Sequence, residues 1–378
     1  MKKLLFITGT RADYGKLKAL MKATEKSVDF ETHIFVSGMH LVELYGNTYK
    51  EILKDGYKNV YVDFSLTNRN IMSYDLGNVI CSLTGYVTHI KPDMIIVHGD
   101  RIDALAGAIV GALNNVKVTH IEGGELSGTI DESMRHAITK FSHIHLVSND
   151  AAKKRLIQLG ERKQDIHVIG SPDIDIMLGN SLPTLEVAKE RYDITFDKYA
   201  FLMYHPVTTD FANLKRNIET VVDVAIASGK NFLVIYPNND YGSEIILSEY
   251  TRFKKLKSFR VFTSLRFEYF LTLLKHADFI MGNSSAGIRE SGVYGIPAID
   301  IGTRQSNRYS DQNVNLQHVD EDATELMNAI LNVDKFRRKN FIYGKGDSTE
   351  KFMEILNSPA TWQGDIQKHF VDISLNER

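Results

Sequence analysis

A single cysteine, Cys81, is all the chain offers for disulfide chemistry. No intrachain bridge can form, and the composition suits a reducing compartment. Charge of one sign is also missing. A formal net charge of −2 argues against a nucleic-acid or anionic-membrane surface. No stretch approaches the ~18 apolar residues that a membrane span needs. The opening MKKLLFITGT resembles a secretory leader only briefly, since its apolar run is just LLFI, so a cytoplasmic location is expected. Repeats, low-complexity segments, a GxSxG elbow and a GKS/T phosphate loop are absent as well. What remains is an ordinary globular composition, 43% hydrophobic and 24% charged, on a chain of 378 residues. That length exceeds the usual single core and predicts two domains.

Short apolar strands alternate with helical patterns from the first residue. KKLLFIT precedes a helix over about 12–26, THIFVS one around 41–54, and NVYVD a long one near 71–90. DMIIVHGD, VKVTHIEG, HIHLVSN and DIHVIG follow, with an Ala/Gly-rich helix over 104–113. Continuous apolar strands alternating with helices mean parallel sheets covered on both faces. Proline, glycine and weak periodicity over 170–199 predict a linker, after which YAFLMYHP, NFLVIYPNND, FRVFTS, DFIMGNSS and PAIDIG restart the alternation. The expectation is an α/β chain of two doubly wound Rossmann-like domains facing a cleft. Residues 1–172 would form the first and 173–350 the second, with 351–378 a tail whose helix STEKFMEILNS crosses back to the first. Cys81 falls mid-helix and is expected to be a small buried hydrophobe.

In open α/β sheets, ligands bind beyond the carboxyl ends of strands, so the residues just after each apolar run carry the information. GTRADYG has only Gly9 and Gly15 and lacks a dinucleotide fingerprint. Arg11 instead sits where a helix begins, beside amides that favour an anion, or is simply a solvated arginine. Asp100, after MIIVHG, reads alone as a helix cap. Asp131 also reads as a cap, with Asp131–Arg135 and Glu132–His136 as ordinary i,i+4 pairs. Together, however, Asp100 and Glu122 end two strands adjacent in sequence, and Asp131 opens the next helix. Three carboxylates at one sheet edge repel one another, which is costly as scaffolding and useful for moving protons.

The second half supplies donors. His205 ends a strand where it can bond a phosphate or shuttle a proton. Ser284 and Ser285, in GNSSAG before a helix, read as a diphosphate site or as plain caps. Glu290 could accept from ribose hydroxyls, and Arg304 adds a cation. His143 and His145 share a strand face without metal-ligand spacing and read as core histidines. An acidic proton-moving side and a phosphate-gripping side suit an enzyme acting on a nucleotide sugar near its anomeric carbon.

GTRADYGKL, VHGDR, HIEGGELSGTIDESMRHAITK, HPVTTD, YPNNDYGS, RFEYFLTLLKHA, GNSSAGIRE and GTRQSNR, in this order, resemble the hydrolysing UDP-N-acetylglucosamine 2-epimerases. The likeness is to the bacterial sialic-acid capsule branch and runs over nearly the whole chain. Non-hydrolysing relatives typically read GTRPE where this sequence has Ala12-Asp13. The resemblance implies a glycosyltransferase-B-like fold and conversion of UDP-GlcNAc and water to ManNAc and UDP, without metal or cofactor. It implies catalysis by Asp100, Glu122 and Asp131. Around UDP it implies Arg11, Arg101, His205, Asn238, Asp240, Ser284, Ser285, Glu290 and Arg304. A homodimer is the expected assembly. A related reading is an epimerase for UDP-2,4-diacetamido-2,4,6-trideoxyglucose on a legionaminic-acid route. A glycosyltransferase of the same fold would need an acceptor, and a non-catalytic nucleotide-sugar binder would leave the three carboxylates unexplained.

Overall fold

The computed structural model describes residues 1–65, 71–127, 129–238, 240–310 and 312–372. The chain divides into two compact units. One comprises Met1–Glu125, Asp131–Leu178 and Tyr343–Arg378, the other Leu126–Ile130 and Gly179–Ile342. Relative to the expected boundaries, the helix Pro172–Leu178 and the residues from Tyr343 sit with the first unit, where Ser171 N–H donates to Tyr343 O at 2.6 Å.

The first unit is built on strands β1 (Lys2–Thr8), β2 (Phe30–Val36), β3 (Asn59–Val62), β4 (Met94–His98), β5 (Lys117–Ile121), β6 (Ile144–Val147) and β7 (Ile166–Val168). They form a parallel sheet in the order β3-β2-β1-β4-β5-β6-β7. The apolar run of β1 is buried on both faces because its side chains alternate between two cores. Leu4 and Phe6 join Leu17, Leu20 and Met21 of the helix Arg11–Lys26, and Phe352 and Leu356 of the helix Ser348–Asn357. Leu5 and Ile7 face Val79 and Leu83 of the helix Met72–Ile90 and Ala104 and Ala108 of the helix Ile102–Leu113.

The second unit carries β8 (Ala200–Met203), β9 (Phe232–Ile235), β10 (Phe259–Phe262), β11 (Ile280–Gly282), β12 (Ala298–Ile301) and β13 (Leu316–Val319). Their order is β10-β9-β8-β11-β12-β13, again parallel. In both sheets the winding direction reverses beside the first strand, between β1 and β4 and between β8 and β11. These are the switch points at which such sheets open a crevice.

Four local expectations are corrected. The helix around 41–54 is broken into turns and a short helix, Tyr49–Lys54, because Gly46 and Asn47 adopt left-handed φ values of 89° and 50°. The linker over 170–199 contains two short helices, Pro172–Leu178 and Leu185–Arg191, the latter capped by Thr184. β13 and the helix Ala323–Leu331 were not anticipated. Cys81 is exposed, because the helix Met72–Ile90 buries the stripe Val79, Leu83 and Val87, and Cys81 lies on its opposite side. Among the described residues no helix is long and apolar enough to cross a membrane.

Candidate active site

At the first switch point β1 ends at Thr8 and the helix Arg11–Lys26 begins after Gly9 and Thr10. Asp13 fixes this turn. Its carboxylate accepts from Gly9 N–H at 3.0 Å, Thr10 N–H at 3.1 Å and the Thr8 hydroxyl at 2.5 Å, while the Thr10 hydroxyl accepts from Asp13 N–H. The result is a capping box. His40 Nε2 lies 3.0 Å from Thr8 Oγ1, and burial lowers its pKa to about 4, so the ring is neutral. Directly beneath, the buried Asp103 fills the space where Gly9 has no side chain: a Cβ there would meet Asp103 Oδ2 at 2.0 Å. Arg11, expected at an anion site, donates to Glu51 at 2.6 Å.

The carboxylates come next along the same edge. β4 and β5 are neighbours with His98 opposite Ile121, so Asp100 and Glu122 follow adjacent strand ends. Gly99 N–H donates to Ile121 O at 2.9 Å, and Glu122 N–H to Leu146 O at 2.8 Å. Glu122 adopts φ +63°, a left-handed conformation uncommon outside glycine. Its carboxylate lies 3.0 Å from His98 Nε2 and 3.7 Å from Lys16 Nζ, and it accepts from the Ser171 hydroxyl. Lys16 also faces Asp173 at 3.6 Å. Arg135, 1% exposed, projects from the helix Ile130–Phe141 and donates to Asp100 Oδ2 and, at 2.8 Å, to Glu122 O. The same guanidinium is 3.5 Å from Glu125. Asp131, in that helix's first turn, lies 3.9 Å from Arg101.

The mutual repulsion expected of three acids is thus offset by Lys16, Arg101 and Arg135. Sequence reading did not single out Lys16 or His98, and it read Arg135 only as an i,i+4 partner of Asp131, whereas its guanidinium bonds Asp100 and the Glu122 carbonyl. Their only signal is helical or strand spacing from residues it did select: Lys16 within GTRADYGK, His98 two before Asp100, Arg135 one turn after Asp131.

In the second unit Asn283, 0% exposed, organises the strand ends. Its side chain accepts from His205 N–H at 2.7 Å and donates to His205 O at 2.9 Å, and its own carbonyl accepts from Arg304 at 3.2 Å and Gln305 at 2.8 Å. His205, Ser284 and Arg304 therefore follow the neighbouring strands β8, β11 and β12. Asn238 N–H donates to His205 Nδ1 at 3.0 Å, which makes Nδ1 the acceptor and leaves Nε2 to carry the ring proton. Asp240, buried, follows on the same loop after β9. Gly282 is required by close approach, since a Cβ there would lie 2.0 Å from Met203 O.

A helix follows GNSSAG as expected, the short Glu290–Tyr294, opening at the buried Glu290. Ahead of it Ser284 caps a three-residue turn, Ser285–Gly287. His145 is buried against Glu161 at 3.0 Å, and His143 receives Val118 N–H at 3.0 Å. Among the described residues no group of three His, Cys, Asp or Glu could hold a metal ion.

The profile of the UDP-N-acetylglucosamine 2-epimerases matches residues 22–357. The chain belongs to this family. It is 47% identical to the Neisseria meningitidis serogroup B protein named UDP-N-acetylglucosamine 2-epimerase, over 99% of this chain and 100% of that protein. It is 34% identical to the Legionella pneumophila UDP-N,N'-diacetylbacillosamine 2-epimerase (hydrolyzing), over 95% and 96% of the two chains. The family fold is also seen in the Methanocaldococcus jannaschii UDP-GlcNAc 2-epimerase solved with UDP-GlcNAc and UDP. That structure superposes with a TM-score of 0.80 at 23% identity, covering 94% of this chain and 99% of the other. The glycosyltransferase-B-like expectation for the fold is met.

Proposed function

We propose that this chain is a hydrolysing 2-epimerase that converts UDP-GlcNAc and water to ManNAc and UDP, opening a route to N-acetylneuraminate. The observation that carries the reading is the row of carboxylates at the first unit's adjacent strand ends, in a chain that shares 47% identity with a UDP-N-acetylglucosamine 2-epimerase.

The C2 proton of the sugar is too weakly acidic for direct removal. Cleavage of the C1–O bond, with its electron pair leaving on UDP, builds positive charge at C1 and acidifies that proton. His205, Arg304 and the amides and hydroxyls of Ser284 and Ser285 would stabilise the departing diphosphate. A carboxylate among Asp100, Glu122 and Asp131 takes the C2 proton, and the C–H pair becomes the C1–C2 double bond of 2-acetamidoglucal. Hydration reverses the sense: water adds its oxygen to C1 and gives a proton to a carboxylate, while C2 is reprotonated on its other face. One water is consumed and C2 is inverted. Arg135, bonded to Asp100 and the Glu122 carbonyl, and Lys16, beside the Glu122 carboxylate, orient these acids.

NMR of products formed in deuterated, oxygen-18 water tests this. Deuterium at C2 and oxygen-18 at C1 of ManNAc are expected, with unlabelled UDP; label in the UDP phosphate would overturn the elimination. UDP release without any acceptor separates hydrolysis from glycosyl transfer. The Legionella pneumophila relative motivates a second substrate, UDP-N,N'-diacetylbacillosamine. Parallel assays on both sugars, with faster UDP release from UDP-GlcNAc expected, decide between them.

A further inference from the structure

His120 belongs to the HIEGG run but carries no role in the chemistry above. It is 0% exposed, and it touches all three segments that bear the carboxylates. Its Nε2 lies 2.8 Å from Gly99 O, the carbonyl immediately before Asp100. Its Nδ1 lies 3.1 Å from Thr139 Oγ1, on the helix that carries Asp131 and Arg135. Above the ring sits Gly123, the residue after Glu122. A Cβ at Gly123 would meet His120 Nδ1 at 2.9 Å, Cε1 at 3.1 Å and Thr139 Oγ1 at 3.2 Å. The glycine is therefore demanded by the histidine beneath it, and the Glu122 loop rests on the imidazole.

A carbonyl can only accept, so Nε2 carries the proton toward Gly99. Burial lowers the His120 pKa to about 3, and His145, Arg135 and His98 add to the disfavour of a positive ring. The imidazole is thus neutral, and Nδ1 accepts the Thr139 hydroxyl proton. Both ring nitrogens are used, in one tautomer, on two different elements.

We propose that His120 is a positioning residue of the epimerase reaction, a strut that holds Asp100, Glu122 and the helix of Asp131 in one register. The inference rests on the epimerase reading and goes beyond it in naming what sets the spacing of the acids. Misplacing a proton-transfer group by about 1 Å can cost ~10²-fold in rate without loss of binding.

The test compares His120→Asn, too short to reach Gly99 O, with His120→Gln, whose amide nitrogen can still donate there. Turnover of UDP-GlcNAc is expected to fall ~10- to 100-fold in His120→Asn, with KM and UDP affinity within about twofold, and to recover in part in His120→Gln. Thr139→Val should reproduce the loss and Thr139→Ser should restore most of it, which keeps the test alive if the histidine variants do not fold. Nitrogen-15 NMR of the wild-type ring should show the neutral Nε2–H tautomer at pH 7. Unchanged turnover in His120→Asn would sink the proposal. So would KM and UDP affinity worsening in step with turnover, loss of an ionisation from the pH–rate profile, or a charged ring. Wild-type protein that leaves UDP-GlcNAc intact defeats the epimerase reading itself, whereas active wild type with an active His120→Asn defeats only the strut.

Discussion

Asp103 shows how one buried group can tune stability from behind a site. It lies under Gly9 and Gly38 and accepts from the Ser37 hydroxyl. Burial raises its pKa from 3.8 to about 6, against the opposing pull of that hydrogen bond. The folded protein therefore holds a proton that the unfolded chain has already lost between those two values. Stability conferred at Asp103 is full below about pH 4 and declines as pH rises through 6. Asp103→Asn keeps an oxygen for Ser37 and removes the titration. It should gain on the wild type by on the order of 2–3 kcal/mol at pH 7 and by little at pH 4. Thermal melts across that range check this, and a difference independent of pH would contradict it. Residues of this kind were beyond sequence reading. Asp103, Lys16, His98 and Arg135 acquire partners only when parallel register brings separate strand ends together, whereas Asp100, Glu122 and Asp131 sit at positions that patterning alone marks as strand or helix ends.

Among the elements, the helix Ile130–Phe141 joins the proposed acidic site to the tail. Asp131 and Arg135 lie toward its start. At its other end, Lys368 donates to Thr139 O at 3.1 Å and Ser142 O at 2.5 Å, satisfying carbonyls at the negative pole of the helix. Lys368 also pairs with Glu161 at 2.6 Å. Burial alone would raise the Glu161 pKa, but His145 and Lys368 hold it down to about 2. That contribution is complete above about pH 4.5 and disappears as pH falls toward 2. Lys368→Ala should lower stability at pH 7 by about 1–3 kcal/mol, with the deficit shrinking in acid. Urea midpoints at pH 7 and pH 3 check this, and an equal deficit at both would mean that Lys368 acts only by packing. The helix itself was legible from its apolar spacing, as were the strands that precede each site residue. The three-residue turn Ser285–Gly287 ahead of the helix Glu290–Tyr294 was not, because so short a segment carries no periodicity to read.

For the whole molecule, the proposed function assigns the two units different chemistry, and substitutions should separate turnover from UDP binding. In the first unit, Asp131→Asn and Glu122→Gln keep shape and remove a base, so turnover should fall by roughly 10² or more. UDP affinity should hold, since the acids are assigned to the sugar, and losing one can relieve repulsion with the diphosphate. In the second unit, Ser285→Ala and Arg304→Ala should weaken UDP by about 1–3 kcal/mol each as charge-assisted bonds are lost. Ser285 is the cleaner probe there, because Arg304 also donates to Asn283 O and its loss loosens the loop that orients His205. Calorimetric UDP titration beside single-turnover kinetics makes the separation visible. A variant impaired only in hydration should release 2-acetamidoglucal, and Asp100 and Asp131 are the positions at which to look for it. If Asp131→Asn and Glu122→Gln instead abolish UDP binding while turnover per bound substrate survives, the acidic edge is a binding element. Proton transfer would then have to be sought among other residues.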